Sequence, residues 1–148
     1  MDISSIDETE IEKFRNLSKE WWKHDGKFKT LHKFNPVRLE LIIDDIKRNF
    51  KTTEDQNKPL SNISILDIGC GKGYLLYDFL QVLPKAQVYG LDISQYAIEN
   101  GKEEIKERLQ NGNAKNLPWS ENYFDLVISI NTLDFLYSYE LMDAVKDI

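Results

Sequence analysis

A run of glycines, Leu66-Asp67-Ile68-Gly69-Cys70-Gly71-Lys72-Gly73, sits where one kind of hydrophobic pattern gives way to another. Ile63 to Ile68 reads as a short buried strand, and Lys72 to Leu83, ended by Pro84, as a helix. The glycines therefore fall on the turn between them. Glycine lets the backbone turn sharply and lets a ligand come closer than a Cβ would permit, while the following helix presents unpaired N–H groups. Strand, turn and helix together make a cradle for a nucleotide-like ligand. The next strand, Gln87 to Asp92, ends in an acid 21 residues beyond Gly71. A carboxylate at that place can accept both hydroxyls of a ribose.

The remaining chain extends the same alternation. Gln95 to about Arg108 reads as a charged helix with Ile98, Ile105 and Leu109 inward, and Asn122 to Ile130 contains the buried-looking strand FDLVISI. Tyr139 to Ile148 is a last helical pattern. Strands with two apolar faces alternating with helices indicate an α/β, Rossmann-like parallel sheet with right-handed crossovers.

Upstream, Ser5 and Glu8 have capping-box spacing, and Ile11, Phe14, Leu17 and Trp21 make one apolar face, so Asp7 to Trp22 is expected to be helical. Lys23 to Phe34 reads as a loop. Asn35-Pro36 then opens a helix striped by Leu39, Ile42, Ile43, Ile46 and Phe50. Lys51 to Asn62 is polar and reads as a connection. The expected division is a helical cap over 1–50, a linker over 51–62 and a ligand-binding domain over 63–148.

The 148 residues carry a formal charge of −6. That acid excess argues against nucleic acid as a partner, since such binding needs lysines and arginines to neutralise phosphates. Cys70 is the one cysteine, which excludes an internal disulfide and any multi-cysteine zinc site. No apolar run approaches the ~18 residues of a membrane span, and Met1 to Glu10 lacks the basic start of a signal peptide. A cytoplasmic location is the expectation.

Two cofactor classes use a glycine turn followed by an acid. The dinucleotide fingerprint G-x-G-x-x-G would need its third glycine at Tyr74, where a phenol obstructs close packing of helix on strand. A nicotinamide-dependent oxidoreductase is thereby the weaker reading. The motif D-x-G-x-G-x-G instead closely resembles the loop of class I S-adenosylmethionine-dependent methyltransferases. That resemblance implies that Asp67, Gly69 and Gly71 face the methionine and ribose portion of the cofactor, and that Asp92, with Ile93 beside it, holds the ribose. Gly112-Asn113-Ala114, Leu117-Pro118-Trp119 and Phe124-Asp125-Leu126-Val127 resemble the G-D-A, L-P-F and F-D-L-V run of the same family. Asn113 replaces the acid that bonds the adenine amino group, and its amide oxygen can still accept that bond; it can equally be a turn residue. Ile130 matches a position packing near the cofactor, or is ordinary strand-end packing.

The first fifty residues resemble a narrower group. Phe14-x-x-Leu-Ser-x-x-Trp21-Trp22, Gly26-Lys-Phe28-Lys and Leu31-His32-Lys-Phe-Asn35-Pro36-Val-Arg38-Leu39 look like the N-terminal cap of ubiquinone-biosynthesis O-methyltransferases, which methylate phenolic hydroxyls. The resemblance implies a cofactor contact for Arg38, whose planar guanidinium suits a carboxylate. Trp21 and Trp22 are candidates for a hydrophobic entrance or for packing anchors. His32, ahead of His24, is a candidate general base. That group carries E-x-x-E-H after the fourth strand; here the matching positions are Asn131, Asp134 and Phe135, a poor set for a hard cation. No metal is expected.

The leading expectation is an S-adenosylmethionine-dependent methyltransferase acting on a small or lipophilic acceptor, with no catalytic residue assignable. The resemblance calls for seven strands, of which about four are accounted for by Ile148. A truncated class I fold follows. The alternative is a non-catalytic module in which a second copy or a partner chain covers the open sheet edge.

Overall fold

The computed structural model of the chain describes Glu8, Thr9, Glu12, Asn16, Lys29–Asn49 and residues 62–130. Of the expected first helix, Glu8, Thr9, Glu12 and Asn16 are described and are helical; the rest of it, nearly all of the linker and the Tyr139–Ile148 pattern lie outside the described residues. The elements are α1 (Lys29–Asn49), β1 (Ser64–Ile68), α2 (Tyr74–Val82), β2 (Gln87–Asp92), α3 (Gln95–Glu99), a 3-10 turn (Lys106–Arg108), β3 (Leu109–Asn111) and β4 (Leu126–Ser129).

The four strands form a parallel sheet in the order β3-β2-β1-β4. β1 is central, with Asp67 opposite Gly90 of β2 and Ile128 of β4. Its last four residues are buried, as a strand covered on both faces requires.

Strand order decides which face each connection covers. The steps β1 to β2 and β2 to β3 run in one direction, so right-handed crossovers put α2 and α3 on one face. The step β3 to β4 returns past β2 and β1, so it crosses the other. Alternation along the strands matches this. Ile65, Val88 and Ile128 join Leu76, Phe79, Ile105 and Leu109 in a core that also takes Ile43 and Ile46 of α1. Leu66, Ile68 and Leu91 point the opposite way, under Ala114, Leu117, Trp119 and Phe124.

Among the described residues that second cover contains no helix. Residues 112–125 are irregular and close over the sheet with rings: Tyr89 meets Trp119, Tyr123 and Phe124 edge-on at 6.1, 5.9 and 5.5 Å between centroids. The segment is pinned where it re-enters the sheet. Asp125 Oδ2 accepts from the Ser64 N–H and Oγ, both at 2.8 Å, and the Asp125 N–H donates to the Ser64 carbonyl at 3.0 Å.

Several boundaries differ from the sequence reading. Helix α1 begins at Lys29 and carries Pro36 inside it, so Asn35-Pro36 is not its start and 29–34 is not loop. Proline removes a single N–H donor, and a helix of 21 residues absorbs that local loss. The charged helix stops at Glu99, far short of Arg108. Asn100 caps it, its Nδ2 donating to the Tyr96 carbonyl at 2.9 Å, and a Cβ on Gly101 would lie 2.5 Å from Leu109 Cδ1. Leu109 belongs to a strand, β3, which the sequence reading had counted as helix.

Candidate functional site

In an open α/β sheet, ligands lie beyond the carboxyl ends of the strands where the order reverses. Here that point is β1, flanked by β2 and β4. The turn leaving β1 has Gly69, Gly71 and Gly73 all in the left-handed region, at φ 79°, 57° and 80°. Gly73 caps α2, and a Cβ on it would also stand 2.5 Å from Ile105 Cδ1. Backbone conformation and close packing both require glycine there.

The turn is tied to the end of β2. The Gly69 and Cys70 N–H groups donate to the Leu91 carbonyl at 2.7 and 3.1 Å. The Gly71 N–H donates to Asp92 Oδ2 at 2.8 Å, and the Ser94 N–H to Asp92 Oδ1 at 2.8 Å. Ser94 also caps α3, its Oγ accepting from the Ala97 N–H at 3.2 Å. Behind Asp92, Asn111 Nδ2 donates to the Asp92 and Ile93 carbonyls at 3.0 and 2.9 Å, and the Gly112 N–H donates to the Asp92 carbonyl at 3.0 Å. Asp92 thus holds the glycine turn and the start of α3 through its carboxylate, and the exit of β3 through its backbone carbonyl.

The electrostatics are those of a recessed acidic pair. Asp67 is 5% exposed, and burial, reinforced by Asp92, pushes its carboxyl up to about 8. Burial also raises Asp92, against the lowering effect of the N–H groups of Ser94 and Gly71. The Cys70 thiol is held well above its ordinary value by burial and then by the two acids, so it stays neutral and is no nucleophile. Burial lowers the Lys72 ammonium, which lies 5.5 Å from the centre of the Tyr96 ring.

The residues singled out from sequence fall into two neighbourhoods. Asp67, Gly69, Gly71, Asp92 and Ile93 share the rim of β1 and β2, with Ile93 41% exposed beside the acid. Asn113 and Ala114 follow directly from β3. Asn113 Oδ1 accepts from the Lys115 N–H at 3.1 Å, as a turn residue does, while Ala114 is buried against Leu66, Ile68 and Leu91. Arg38 and Ile130 instead line a groove of about 470 Å³ between α1 and β4, with Leu41, Ile42 and Ser129. Among the described residues no hydrogen bond or ion pair joins Arg38 to the glycine turn.

Two positioning residues were missed. Ser94 had a signal, a serine directly before a helical run. Asn111 had none, because a strand of three residues with two exposed leaves no pattern. Trp21, Trp22, His24, Asn131, Asp134 and Phe135 lie outside the described residues, as does the His32 side chain. Among the described residues no group of three or more His, Cys, Asp or Glu is placed to hold a metal ion.

A parallel sheet in this order, a triple-glycine turn and an acid at the neighbouring strand end define a class, and comparison agrees: the chain belongs to the methyltransferase domain family, matched over residues 59–147. It is 36% identical over 146 residues to the ubiquinone biosynthesis O-methyltransferase of Pelagibacter ubique, covering 99% of this chain and 58% of that protein. The enzyme of the same name from Mesorhizobium japonicum is 38% identical over 145 residues, covering 98% and 56%. The chain thus spans a little over half the length of these curated relatives.

Among solved structures, the plantazolicin methyltransferase BpumL, in complex with a desmethylplantazolicin analogue and S-adenosylhomocysteine, matches with a TM-score of 0.63 at 22% identity, over 94% of this chain and 54% of that one. PKMT2 from Rickettsia typhi, bound to S-adenosylhomocysteine, matches at 0.56 and 25% identity, over 70% and 21%. The likeness to BpumL is one of fold.

Proposed function

We propose that this chain binds S-adenosylmethionine across the ends of β1 and β2 and forms the cofactor half of a methyltransferase. The observation that carries this is the Asp92 carboxylate at the end of β2. Each of its oxygens accepts one backbone N–H, from Gly71 or Ser94, and each retains a lone pair for a ribose hydroxyl. Gly69 and Gly71 expose backbone with no Cβ to hold a ligand away. Ile93 offers an exposed apolar side chain to an adenine face, and Asn113 keeps one acceptor lone pair for an adenine amino group. Arg38 and Ile130 border the neighbouring groove, where a carboxylate end would meet the guanidinium.

The cofactor supplies an electrophilic methyl group on a good leaving group, so the protein's task is alignment and exclusion of water. Asp92 fixes the ribose, and the glycine turn fixes the chain leading to sulfur. The relatives' printed name supports a phenolic O-methyl acceptor. Residues 1–50, joined through 51–62, serve as a cap over the cofactor domain of 63–148, with no metal in the reaction. Among the described residues no helix is long and apolar enough to cross a membrane, which supports a cytoplasmic setting.

Isothermal titration with S-adenosylhomocysteine tests the reading. Micromolar binding that is lost in Asp92→Ala is expected; absence of heat from the unmodified, folded chain would overturn it.

A further inference from the structure

Helix α1 has two apolar sides. Leu39, Ile42, Ile43 and Ile46 turn toward the sheet and join its core. Phe34, Val37 and Leu41 recur at steps of three and four residues, roughly 160° round the helix from that side. Each of them is more than half exposed. The other exposed large apolar side chains among the described residues, Val82, Ile93 and Tyr123, stand singly on three separate segments. A row of three on one helix face is a continuous patch that a single partner surface can cover.

The charges beside the row decide what that surface is. On one flank Lys33 stands near the N-terminal end of the row, and Glu40 and Asp44 near its C-terminal end, all exposed. Among the described residues no ion pair engages these three, whereas Asp45 is taken by Arg48 at 3.6 Å. A row with a base at one end and acids at the other is its own complement when reversed. In an antiparallel pairing of two α1 helices centred between Val37 and Arg38, Phe34 lies on the partner's Leu41, and the two Val37 side chains meet at the two-fold axis. The same register sets Lys33 between the partner's Glu40 and the partner's Asp44, about 3 Å from each along the helix axis. The acids of this flank and the net charge of −6 repel anionic lipid headgroups and nucleic-acid phosphates, so neither is the occupant. Arg38 lies on the other flank, in the groove against β4, and pairing leaves it there.

We infer that the outer face of α1 is a self-association surface, on which two copies of this chain pair antiparallel through Phe34, Val37 and Leu41, with Lys33 of each copy held between the acids of the other. The contact is isologous and closes at two. Three apolar side chains fall short of the roughly 800 Å² per partner of a stable interface, so the dimer is weak and depends on concentration.

Sedimentation velocity on the 148-residue chain, in a concentration series reaching the millimolar range, tests this. The mass should rise from one copy toward two and go no further. Val37→Lys, which sets two ammonium groups against each other at the axis, should abolish the rise while circular dichroism shows the fold kept. Lys33→Asp should weaken the dimer by about tenfold, and so should the double variant Glu40→Lys/Asp44→Lys, because each opposes like charges at both ends. Mixed in equal amounts, these two variants should pair with each other about as well as the unmodified chain does with itself, which general stickiness cannot produce. A chain that stays one copy at every concentration overturns the inference. So does a dimer that survives Val37→Lys, or one whose charge variants do not recover on mixing. The concentration series needs no variant, so it stands even if a substitution prevents folding.

Discussion

The Gly71 N–H donates to Asp92 Oδ2 at 2.8 Å, joining the centre of the glycine turn to the acid that ends the next strand. The bond holds both halves of the candidate ribose site in place before any ligand arrives, so ordering them adds little to the cost of binding.

Replacing Asp92 by Asn should therefore act on affinity and stability together. The amide keeps one acceptor but loses the charge and the second oxygen. A hydrogen bond to a charged group is worth roughly 1.5–3 kcal/mol, so S-adenosylhomocysteine binding should weaken about ten- to a hundredfold. Calorimetry reads this directly, and an affinity within about twofold of the unmodified chain would remove Asp92 from the site.

Asp67 gives the free protein a pH dependence with a definite sign. Its folded-state pKa, about 8, lies above the ordinary 3.8, so the folded state binds more protons than the unfolded state between those values. Stability should fall as pH rises across that window, by up to about 1.4 kcal/mol per unit from this group. Melting temperatures measured from pH 5 to 8 should decline, and the decline should flatten in Asp67→Asn.

Gly73→Ala combines two penalties. The residue must hold φ near 80°, and its new Cβ would meet Ile105 Cδ1 at 2.5 Å and Leu109 Cδ2 at 3.0 Å. Overpacking and strain of this kind cost about 2–4 kcal/mol. Denaturant unfolding should show that loss, and trimming Ile105 and Leu109 should recover only the steric part.

Trp119→Ala tests the irregular 112–125 cover of the sheet. Trp119 is half-buried against Tyr89 and Phe124, with the Phe124 ring 5.2 Å away. Its removal should destabilise by roughly 2–4 kcal/mol. It should also raise amide exchange in the segment holding Asn113 and Ala114 ahead of exchange in β1.

The Asp67–Gly73 turn was legible because a left-handed backbone leaves a chemical mark, glycine, at each position that needs it. Asp92 was legible by its distance from that turn. The helix over 95–108 was misread because charged residues at helical spacing look alike whether or not the chain continues, and the break rests on Asn100-Gly101 meeting Leu109. Strand β3 was illegible for a related reason: its three residues are held by pairing with Gly90, Leu91 and Asp92, not by preferences of their own.

By itself, then, the sequence determined the parallel α/β alternation, the glycine turn and the acid that faces it, because backbone sterics and burial act on residues near one another in the chain. The tertiary structure decided what depends on distant partners. It set the strand order that sends 112–125 across the second face, divided the candidate residues between the turn and the Arg38 groove, and enclosed Asp67 beside Asp92. Desolvation and pairing are properties of an assembled neighbourhood, and no local run of residues encodes them.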